Sequence, residues 1–212
     1  MIPPPVKVLV TGSAGFLGSY IVQDLLKNGY DVVGIDNHSK YGKRPVIDHP
    51  RFTFYNFDLT NPIEPFAGDS ETPLGRVDFV IAAAAMIGGI KYFHQNSYNL
   101  LATNERILAN TFDYAIRTGS HRIIVISSSM VFENAKEFPS SEKHLLKCPP
   151  PSSSYGFQKL SSEYFAKSAY EQYGIPYTII RPFNAVGVGE DEALGAEEVE
   201  QGNIKMLMSH VL

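Results

Sequence analysis

The sequence predicts an α/β protein built on a doubly wound parallel sheet. Short apolar or β-branched runs alternate with long segments that carry apolar residues at helical spacing. A glycine-rich turn joins the first run to the first helical segment. Strands that alternate with helices pair in parallel through right-handed crossovers, so this order predicts an open sheet with helices on both faces.

The first unit reads as strand, glycine turn, helix and second strand. Residues 6–11 are an apolar run, residues 15–28 carry apolar side chains at helical spacing, and Asp31–Asp36 follows as the second strand. Long helices are predicted at Ser97–Thr118 and Ser154–Tyr173. Four further strands are predicted at 52–57, 77–82, 121–126 and 176–181.

Two polar or proline-rich stretches, 39–50 and 134–153, interrupt this alternation. We expect them to be loops at the carboxyl edge of the sheet, where such folds bind ligands. After residue 183 the pattern changes to a connector rich in glycine and glutamate, 184–202, and a last apolar helix is predicted over 202–212. This change predicts one domain over 1–183 and the start of a second region over 184–212.

Composition excludes several classes of protein. The 212 residues are 44% hydrophobic and 19% charged, which is typical of globular proteins rather than disordered or coiled-coil chains. The net charge of −4, without a dense stripe of lysine and arginine, argues against nucleic acid as a partner. One cysteine and six scattered histidines give no metal-ligand spacing. No signal-peptide pattern is present and the longest apolar run, 79–90, is too short for a bilayer, so we expect a cytoplasmic protein without a membrane partner.

The glycine turn predicts a dinucleotide site. Gly12, Gly15 and Gly18 suit a tight bend, the close approach of a diphosphate and close packing of helix on strand, although such turns also occur without a ligand. Asp36, at the end of the second predicted strand, is placed to accept hydrogen bonds from ribose hydroxyls and to repel a 2′-phosphate. This pattern favours NAD over NADP. Three basic residues nearby could instead hold a 2′-phosphate, but a solvated basic loop is the favoured interpretation: Lys40, Lys43 and Arg44.

Tyr155 and Lys159 lie four residues apart near the start of a predicted helix. This spacing puts both side chains on one helix face, where the ammonium favours the phenolate. Lowering a phenol pKa from about 10 to about 7 needs roughly 4 kcal/mol, which a lysine and the positive ring of a bound nicotinamide can supply. The pair therefore predicts a general base, with an amphipathic surface pair as the alternative.

Taken together, an ordered series of motifs resembles the extended short-chain dehydrogenase/reductase family, the nucleotide-sugar epimerases and dehydratases. The motifs are residues 11–18, Asp36, Asp58-Leu59, Ala83-Ala84-Ala85, Asn99-x-x-x-Thr103, Ser127-Ser128-Ser129, Tyr155-x-x-x-Lys159 and Arg181-Pro182-Phe183-Asn184. Relatives in this family are typically longer and use their last third to bind the substrate. The resemblance therefore implies a Rossmann-type domain with the C-terminal substrate domain largely missing.

The resemblance implies roles for individual residues. The implied cofactor is NAD, with contacts from Gly12, Gly15, Phe16, Leu17, Gly18, Asp36, Asn37, Asp58, Leu59, Ala83, Ala84, Ala85, Asn99, Tyr155, Lys159 and Pro182. The implied catalytic residues are Ser128, which binds the reacting hydroxyl, Tyr155, which accepts its proton, and Lys159, which modulates Tyr155. The implied contacts to a nucleotide-diphosphate sugar are Met86, Gly88, Ser128, Ser129, Met130 and Asn184. No metal is implied. A homodimer is implied through helices 97–118 and 154–173.

The implied chemistry is transient oxidation of the sugar at C4 to a 4-keto intermediate, and three outcomes remain open. Return of hydride to the other face makes the enzyme a 4-epimerase, which we favour. Elimination of water makes it a dehydratase, although Ser129 and Met130 replace the Asp-Glu pair of ordinary 4,6-dehydratases. An unusual dehydratase would use Glu133, where the family more often has glycine, or one of Lys91, His94 and Cys148. A third alternative is an NAD-binding sensor or scaffold without turnover.

Overall fold

The structure is a computed structural model that describes residues 6–43, 45–63, 74–88, 92 and 95–189. The predicted helix over 202–212 and most of the predicted connector lie outside the described residues. All six strands of the predicted sheet lie within them.

The sheet has six parallel strands in the order β3-β2-β1-β4-β5-β6. The strands are β1 (Lys7–Thr11), β2 (Asp31–Asp36), β3 (Phe52–Asn56), β4 (Phe79–Ala82), β5 (Arg122–Ile126) and β6 (Tyr177–Ile180). The order reverses between β1 and β4, and in open sheets of this kind ligands bind outside the carboxyl ends of the strands at that point. The predicted Rossmann-type fold is confirmed.

In the part of the chain that the structure describes, three long α-helices connect the strands: α1 (Phe16–Lys27), α2 (Ser97–Thr118) and α3 (Ser154–Tyr173). The bounds of α2 and α3 are those predicted from the sequence. Short 3-10 helices occupy Ser129–Phe132 and Glu142–Lys147. The second lies inside the stretch 134–153 that we expected to be a loop, and burial of the His144 side chain accompanies this extra turn.

The hydrophobic core lies on both faces of the sheet. Alternate residues of a strand point to opposite faces, so Leu9 of β1 packs with Phe112 of α2 and Ala166 of α3. Its neighbours Val8 and Val10 pack instead with α1 residues such as Val22. These strands are apolar at nearly every position because a parallel sheet is buried on both sides.

Within the described ranges, no helix is both long enough and apolar enough to cross a bilayer.

Candidate cofactor and active site

A cavity of about 770 Å³ opens at the carboxyl ends of the strands, where the strand order reverses. It is lined by all but one of the residues predicted to contact a cofactor and by all three predicted catalytic residues. Several lining residues were not singled out from the sequence: Ser39, Tyr41, Thr60 and Ile107. These lie on loops or on α2, where neighbours in space are far apart in the chain.

The turn between β1 and α1 closes only because glycine occupies two of its positions. Gly12 has φ +69°, and a Cβ there would lie 2.9 Å from the Cα of Ala84. A Cβ on Gly18 would overlap the carbonyl oxygen of Gly12. The amide of Gly12 donates to the carbonyl oxygen of Ile35 at 2.7 Å, which attaches the turn to β2. The start of α1 therefore lies directly against the ends of β1 and β4.

The N-terminus of α1 suits a diphosphate. Its N-cap is Gly15, whose lack of a side chain leaves the first-turn amides without a side-chain acceptor among the described residues. No acidic residue occupies the first turn of α1, and Gly15, Phe16 and Leu17 all line the cavity. Free amides and the positive end of the helix dipole favour an anion at this place.

Asp36 is held rigidly at the rim of the cavity. Its Oδ1 accepts from the amide of His38 at 2.7 Å, and its Oδ2 accepts from the amide of Ala14 at 3.1 Å. Each oxygen keeps a lone pair for a further donor, such as a ribose hydroxyl. Of the basic residues nearby, Lys40 lines the cavity, Lys43 is exposed, and Arg44 lies outside the described residues.

Two side chains fix the backbone after β4. The hydroxyl of Thr11 accepts from the amides of Ala83 and Ala84, each at 3.0 Å. The buried side chain of Asn104 then holds both polar groups of Met86: its Oδ1 accepts from the amide at 2.6 Å and its Nδ2 donates to the carbonyl oxygen at 3.0 Å. Partly buried backbone groups without regular partners are thereby satisfied. This loop is the wall of the cavity between the two halves of the sheet.

Sequence reasoning missed Asn104, although a signal was available. Leu100, Asn104 and Leu108 lie four residues apart and form the buried stripe of α2, so a polar residue within that stripe predicts a buried hydrogen-bonding role. Asn99, the residue proposed from the sequence, is exposed and does not line the cavity. It precedes Leu100, and one residue rotates a helix by about 100°, which turns Asn99 away from the sheet.

The end of β5 and one face of α3 make three successive contacts. The side chain of Tyr155 hydrogen-bonds Ser128, Lys159 Nζ donates to the carbonyl oxygen of Ile126 at 2.9 Å, and Ser127 Oγ donates to Glu163 Oε1 at 2.7 Å. The three α3 residues are four apart and so lie on one helix face. The predicted catalytic residues Ser128, Tyr155 and Lys159 are thus brought together at the edge of the cavity.

Comparison with known proteins identifies the family. The model of the NAD dependent epimerase/dehydratase family matches residues 8–207, nearly the whole chain. The chain belongs to this family. NAD, the cofactor expected from the sequence, is the cofactor of the family, and the glycine turn, the uncapped start of α1 and Asp36 fit it.

Individual relatives agree with this assignment. A putative UDP-glucose 4-epimerase of Methanocaldococcus jannaschii is 31% identical, over 87% of this chain and 57% of the relative. UDP-glucuronic acid decarboxylase 3 of Arabidopsis thaliana is 30% identical, over 87% of this chain and 52% of the relative. The crystal structure of a UDP-glucose 4-epimerase from Thermotoga maritima with UDP-glucose is 30% identical with a TM-score of 0.69, covering 83% of this chain and 55% of that one. The chain thus spans little more than half the length of these relatives.

Burial dominates the titration of Tyr155 and Lys159. It raises the pKa of Tyr155, and the hydrogen bond to Ser128 acts in the opposite direction. It lowers the pKa of Lys159 to about 8, with Nζ 5.8 Å from the centre of the Tyr155 ring. The sequence had suggested a lowered pKa for Tyr155. In the protein alone the direction is opposite, because the desolvation of a buried phenolate outweighs its neighbours.

Glu133, which replaces the glycine more usual in this family, supports α3 and does not line the cavity. Its Oε2 accepts from the amide of Ser153 at 3.0 Å and from the Ser153 hydroxyl at 2.9 Å. Ser153 Oγ in turn accepts from the amide of Gly156 at 3.0 Å, so Ser153 is the N-cap of α3. This cap fixes the first turn of the helix, which carries Tyr155. Cys148 does not line the cavity either, and Lys91 and His94 lie outside the described residues.

The residues predicted to contact a sugar are placed unevenly. Met86 and Ser128 line the cavity. Ser129 and Met130 do not, because they turn into the 3-10 helix that Ser128 caps. Gly88 and Asn184 do not line the cavity, but their neighbours do. Gly88 packs under the ring of Tyr92, which lines the cavity, and Asn184 is exposed between the lining residues Phe183 and Ala185.

Proposed function

We propose that this chain is the cofactor-binding and catalytic part of an NAD-dependent nucleotide-sugar 4-epimerase. The observation that carries the proposal is the gathering of Ser128, Tyr155 and Lys159 at the edge of the cavity that the glycine turn and Asp36 also line. Two of the three relatives described above carry the name UDP-glucose 4-epimerase, one of them as a putative enzyme, and these names support it. The substrate is proposed to be a nucleotide-diphosphate sugar oxidised transiently at C4 to a 4-keto intermediate.

The proposal assigns a part of NAD to each of several cavity residues. The amides at the start of α1 would hold the diphosphate of NAD, Asp36 the adenosine ribose, Asp58 and Leu59 the adenine, and Lys159 the nicotinamide ribose. When bound, NAD takes a hydride from the sugar and returns it. Its positive ring would add to the positive charge that Lys159 already places near Tyr155.

Tyr155 acts as the general base on the C4 hydroxyl and as the acid when the alcohol reforms. Ser128 holds the hydroxyl in reach of Tyr155, to which it is already hydrogen-bonded. The ammonium of Lys159 stabilises the phenolate electrostatically. An epimerase needs no further acid or base, because the same tyrosine serves both faces of the ketosugar once the sugar has turned over.

A dehydratase needs an acid to expel the C6 hydroxyl and a base to remove a proton from C5. The carboxylates among the described cavity residues are Asp36, which ends β2, and Asp58, which follows β3. Both strands lie on the side of the sheet away from Tyr155. Glu133 is engaged by Ser153, and Ser129 and Met130 carry no carboxylate. These positions support the epimerase over the dehydratase. The assembled catalytic residues likewise favour an enzyme over a sensor.

We further propose a homodimer formed by α2 and α3. Large apolar side chains on these helices face solvent in the single chain: Tyr98 is 78% exposed, Tyr164 61% and Phe157 47%. Burial of such side chains between two copies would stabilise a dimer. Analytical ultracentrifugation of the wild type and of Tyr164→Lys tests this, with a concentration-dependent dimer expected only for the wild type, and a monomeric wild type at every concentration contradicting it.

The test of the function is a product assay on the full 212-residue chain. The chain, NAD and a panel of UDP-, GDP- and dTDP-sugars are incubated, and the sugars are analysed by mass spectrometry and NMR. We expect a C4 epimer of unchanged mass. Tyr155→Phe should abolish its formation while NAD still binds, whereas Tyr173→Phe, which alters an exposed tyrosine of the same helix, should not. Loss of one water would indicate the dehydratase, and unchanged sugars with bound NAD would contradict both activities.

A further inference from the structure

The catalytic helix α3 contains the same pair of residue types, at the same spacing, twice. Lys167 and Glu171 are four residues apart and form an ion pair, with Nζ 3.8 Å from Oε1 on the exposed side of α3. Lys159 and Glu163 are also four residues apart, and both are buried on the side facing the sheet. A lysine and a glutamate at this spacing attract each other, and more strongly where water is excluded. Both are described residues, yet no ion pair joins Lys159 to Glu163.

The carboxylate of Glu163 has other partners instead. Arg181, the residue after β6, donates from Nε to Oε1 and from a terminal nitrogen to Oε2, each at 2.7 Å. Ser127 donates to Oε1 as well. This two-point contact matches a guanidinium to a carboxylate better than any ammonium could. Glu163 also raises the pKa of Arg181, with a smaller contribution from the charge of Glu142, so the guanidinium stays charged.

The position of Arg181 is itself fixed. Its guanidinium lies over the ring of Phe132, 5.4 Å from the ring centre. Phe132 ends the 3-10 helix that begins directly after Ser128. The arginine therefore has a defined place between β6, α3 and the segment that carries the catalytic serine.

Lys159 consequently keeps its ammonium on the cavity side. Its Nζ donates to the carbonyl oxygen of Ile126 and lies 5.8 Å from the centre of the Tyr155 ring. The lysine has two further protons with which to bind a ligand or its neighbour. An ion pair with Glu163 would draw Nζ one helical turn along α3, away from Tyr155.

We propose that Arg181 is a positioning residue: by occupying both carboxylate oxygens of Glu163, it keeps the ammonium of Lys159 available to Tyr155 and to the cofactor. The residue acts through Lys159 and does not touch the reacting atoms. The inference rests on the proposed function for its meaning in catalysis, whereas its physical content concerns Lys159 and NAD binding alone. It extends the role of the Arg-Pro-Phe-Asn segment, for which the sequence offered substrate and cofactor contacts only.

Removal of the guanidinium tests the proposal. In Arg181→Met, Glu163 is free to take Lys159, so the pKa of Lys159 should rise by about one unit or more. NAD should bind at least about tenfold more weakly, since a charge-assisted hydrogen bond is withdrawn from it. The double variant Arg181→Met/Glu163→Gln removes both charges, and we expect the pKa and the NAD affinity to return close to those of the wild type. Glu171→Gln removes the matched exposed carboxylate and should change neither.

The pKa is measured by NMR titration of protein labelled at lysine Cε, with the Lys159 signal assigned by its loss in Lys159→Gln. NAD affinity is measured by calorimetry, without a sugar. An unchanged pKa and affinity in Arg181→Met would overturn the proposal. A double variant as impaired as the single one would do so too, because it would assign the loss to the arginine itself.

Arg181→Met leaves a buried carboxylate without its cation, so the variant can fail to fold. In that case Arg181→Lys decides, because a single ammonium satisfies Glu163 less completely. It should shift the pKa and the affinity in the same direction by a smaller amount, and no shift would refute the idea. Both measurements are independent of sugar turnover. If the Lys159 pKa and the NAD affinity change as predicted while no epimer forms, the epimerase proposal fails and the role of Arg181 stands. If the epimer forms but neither quantity changes in Arg181→Met, the role of Arg181 fails and the epimerase proposal stands.

Discussion

Replacement of Asn104 by alanine probes the wall of the cavity. The Asn104 side chain is 2% exposed and satisfies both the amide and the carbonyl oxygen of Met86. Alanine leaves these two backbone groups without their side-chain partners. Each such group costs about 1–3 kcal/mol when it stays away from water, so we expect the free energy of unfolding to fall by roughly 2–6 kcal/mol. NAD affinity should fall as well, because residues 83–86 line the cavity.

The chain offers a matched control for this change. Asn99→Ala alters the same residue type on the same helix at an exposed position, and its effect on stability should stay within about 0.5 kcal/mol. Urea denaturation of both variants and calorimetric titration with NAD are the assays. Equal stability of the two variants would refute the hydrogen-bonding role of Asn104. Loss of NAD binding in Asn99→Ala alone would show that Asn99, as the motif implied, supports the NAD site and that Asn104 does not.

Three further changes test other parts of the site. Gly18→Ala places a methyl group on the carbonyl of Gly12, so unfolding free energy should fall by about 1–3 kcal/mol and NAD binding should be lost; full NAD affinity would contradict the tight turn. Glu133→Ala should cost about 1 kcal/mol by removing support from the N-cap of α3, against about 0.5 kcal/mol or less for Glu171→Ala, as measured by urea denaturation; equal costs would contradict the capping role. The pKa of Lys159 is lowered to about 8 in the folded protein, so above that pH the unfolded chain binds more protons than the folded one. The free energy of unfolding should therefore rise between about pH 8 and 10 by up to about 3 kcal/mol. Below pH 8 the full cost of burying the charged ammonium of Lys159 is present. Above pH 10 the raised pKa of Tyr155 makes the free energy of unfolding fall as the pH rises. The rise should be missing in Lys159→Met, and an identical pH profile for the two proteins would contradict it.

The sequence predicted those features that depend on local periodicity. The first strand-turn-helix unit follows from apolar spacing, and the bounds of α2 and α3 agree with the apolar spacing and with the glycines after both helices. The lining of the cavity by Asp36 and by Tyr155 and Lys159 follows from their places at strand ends and on one helix face. Parallel topology then brings these places to one edge of the sheet.

Features that depend on rotation or on distant partners were not predicted. A motif specifies spacing along the chain but not which side of a helix faces inward, so Asn99 was chosen although Asn104 lies on the buried stripe. Glu133 was considered for catalysis because it stands where the family more often has glycine. Its structural role was missed because its partner, Ser153, is 20 residues away in the chain and the hydrogen bonds between them exist only after folding. The competition of Arg181 and Lys159 for Glu163 likewise requires β6 to lie beside β5.

The central claim is that the cavity holds NAD with its reactive ring beside Tyr155. A crystal structure of the chain grown with NAD tests this most directly. We predict the diphosphate on the amides at the start of α1, the adenosine ribose on Asp36, and the nicotinamide within contact distance of the Tyr155 and Lys159 side chains. Electron density for NAD elsewhere, or a cavity that remains without NAD at saturating concentration, would contradict the account.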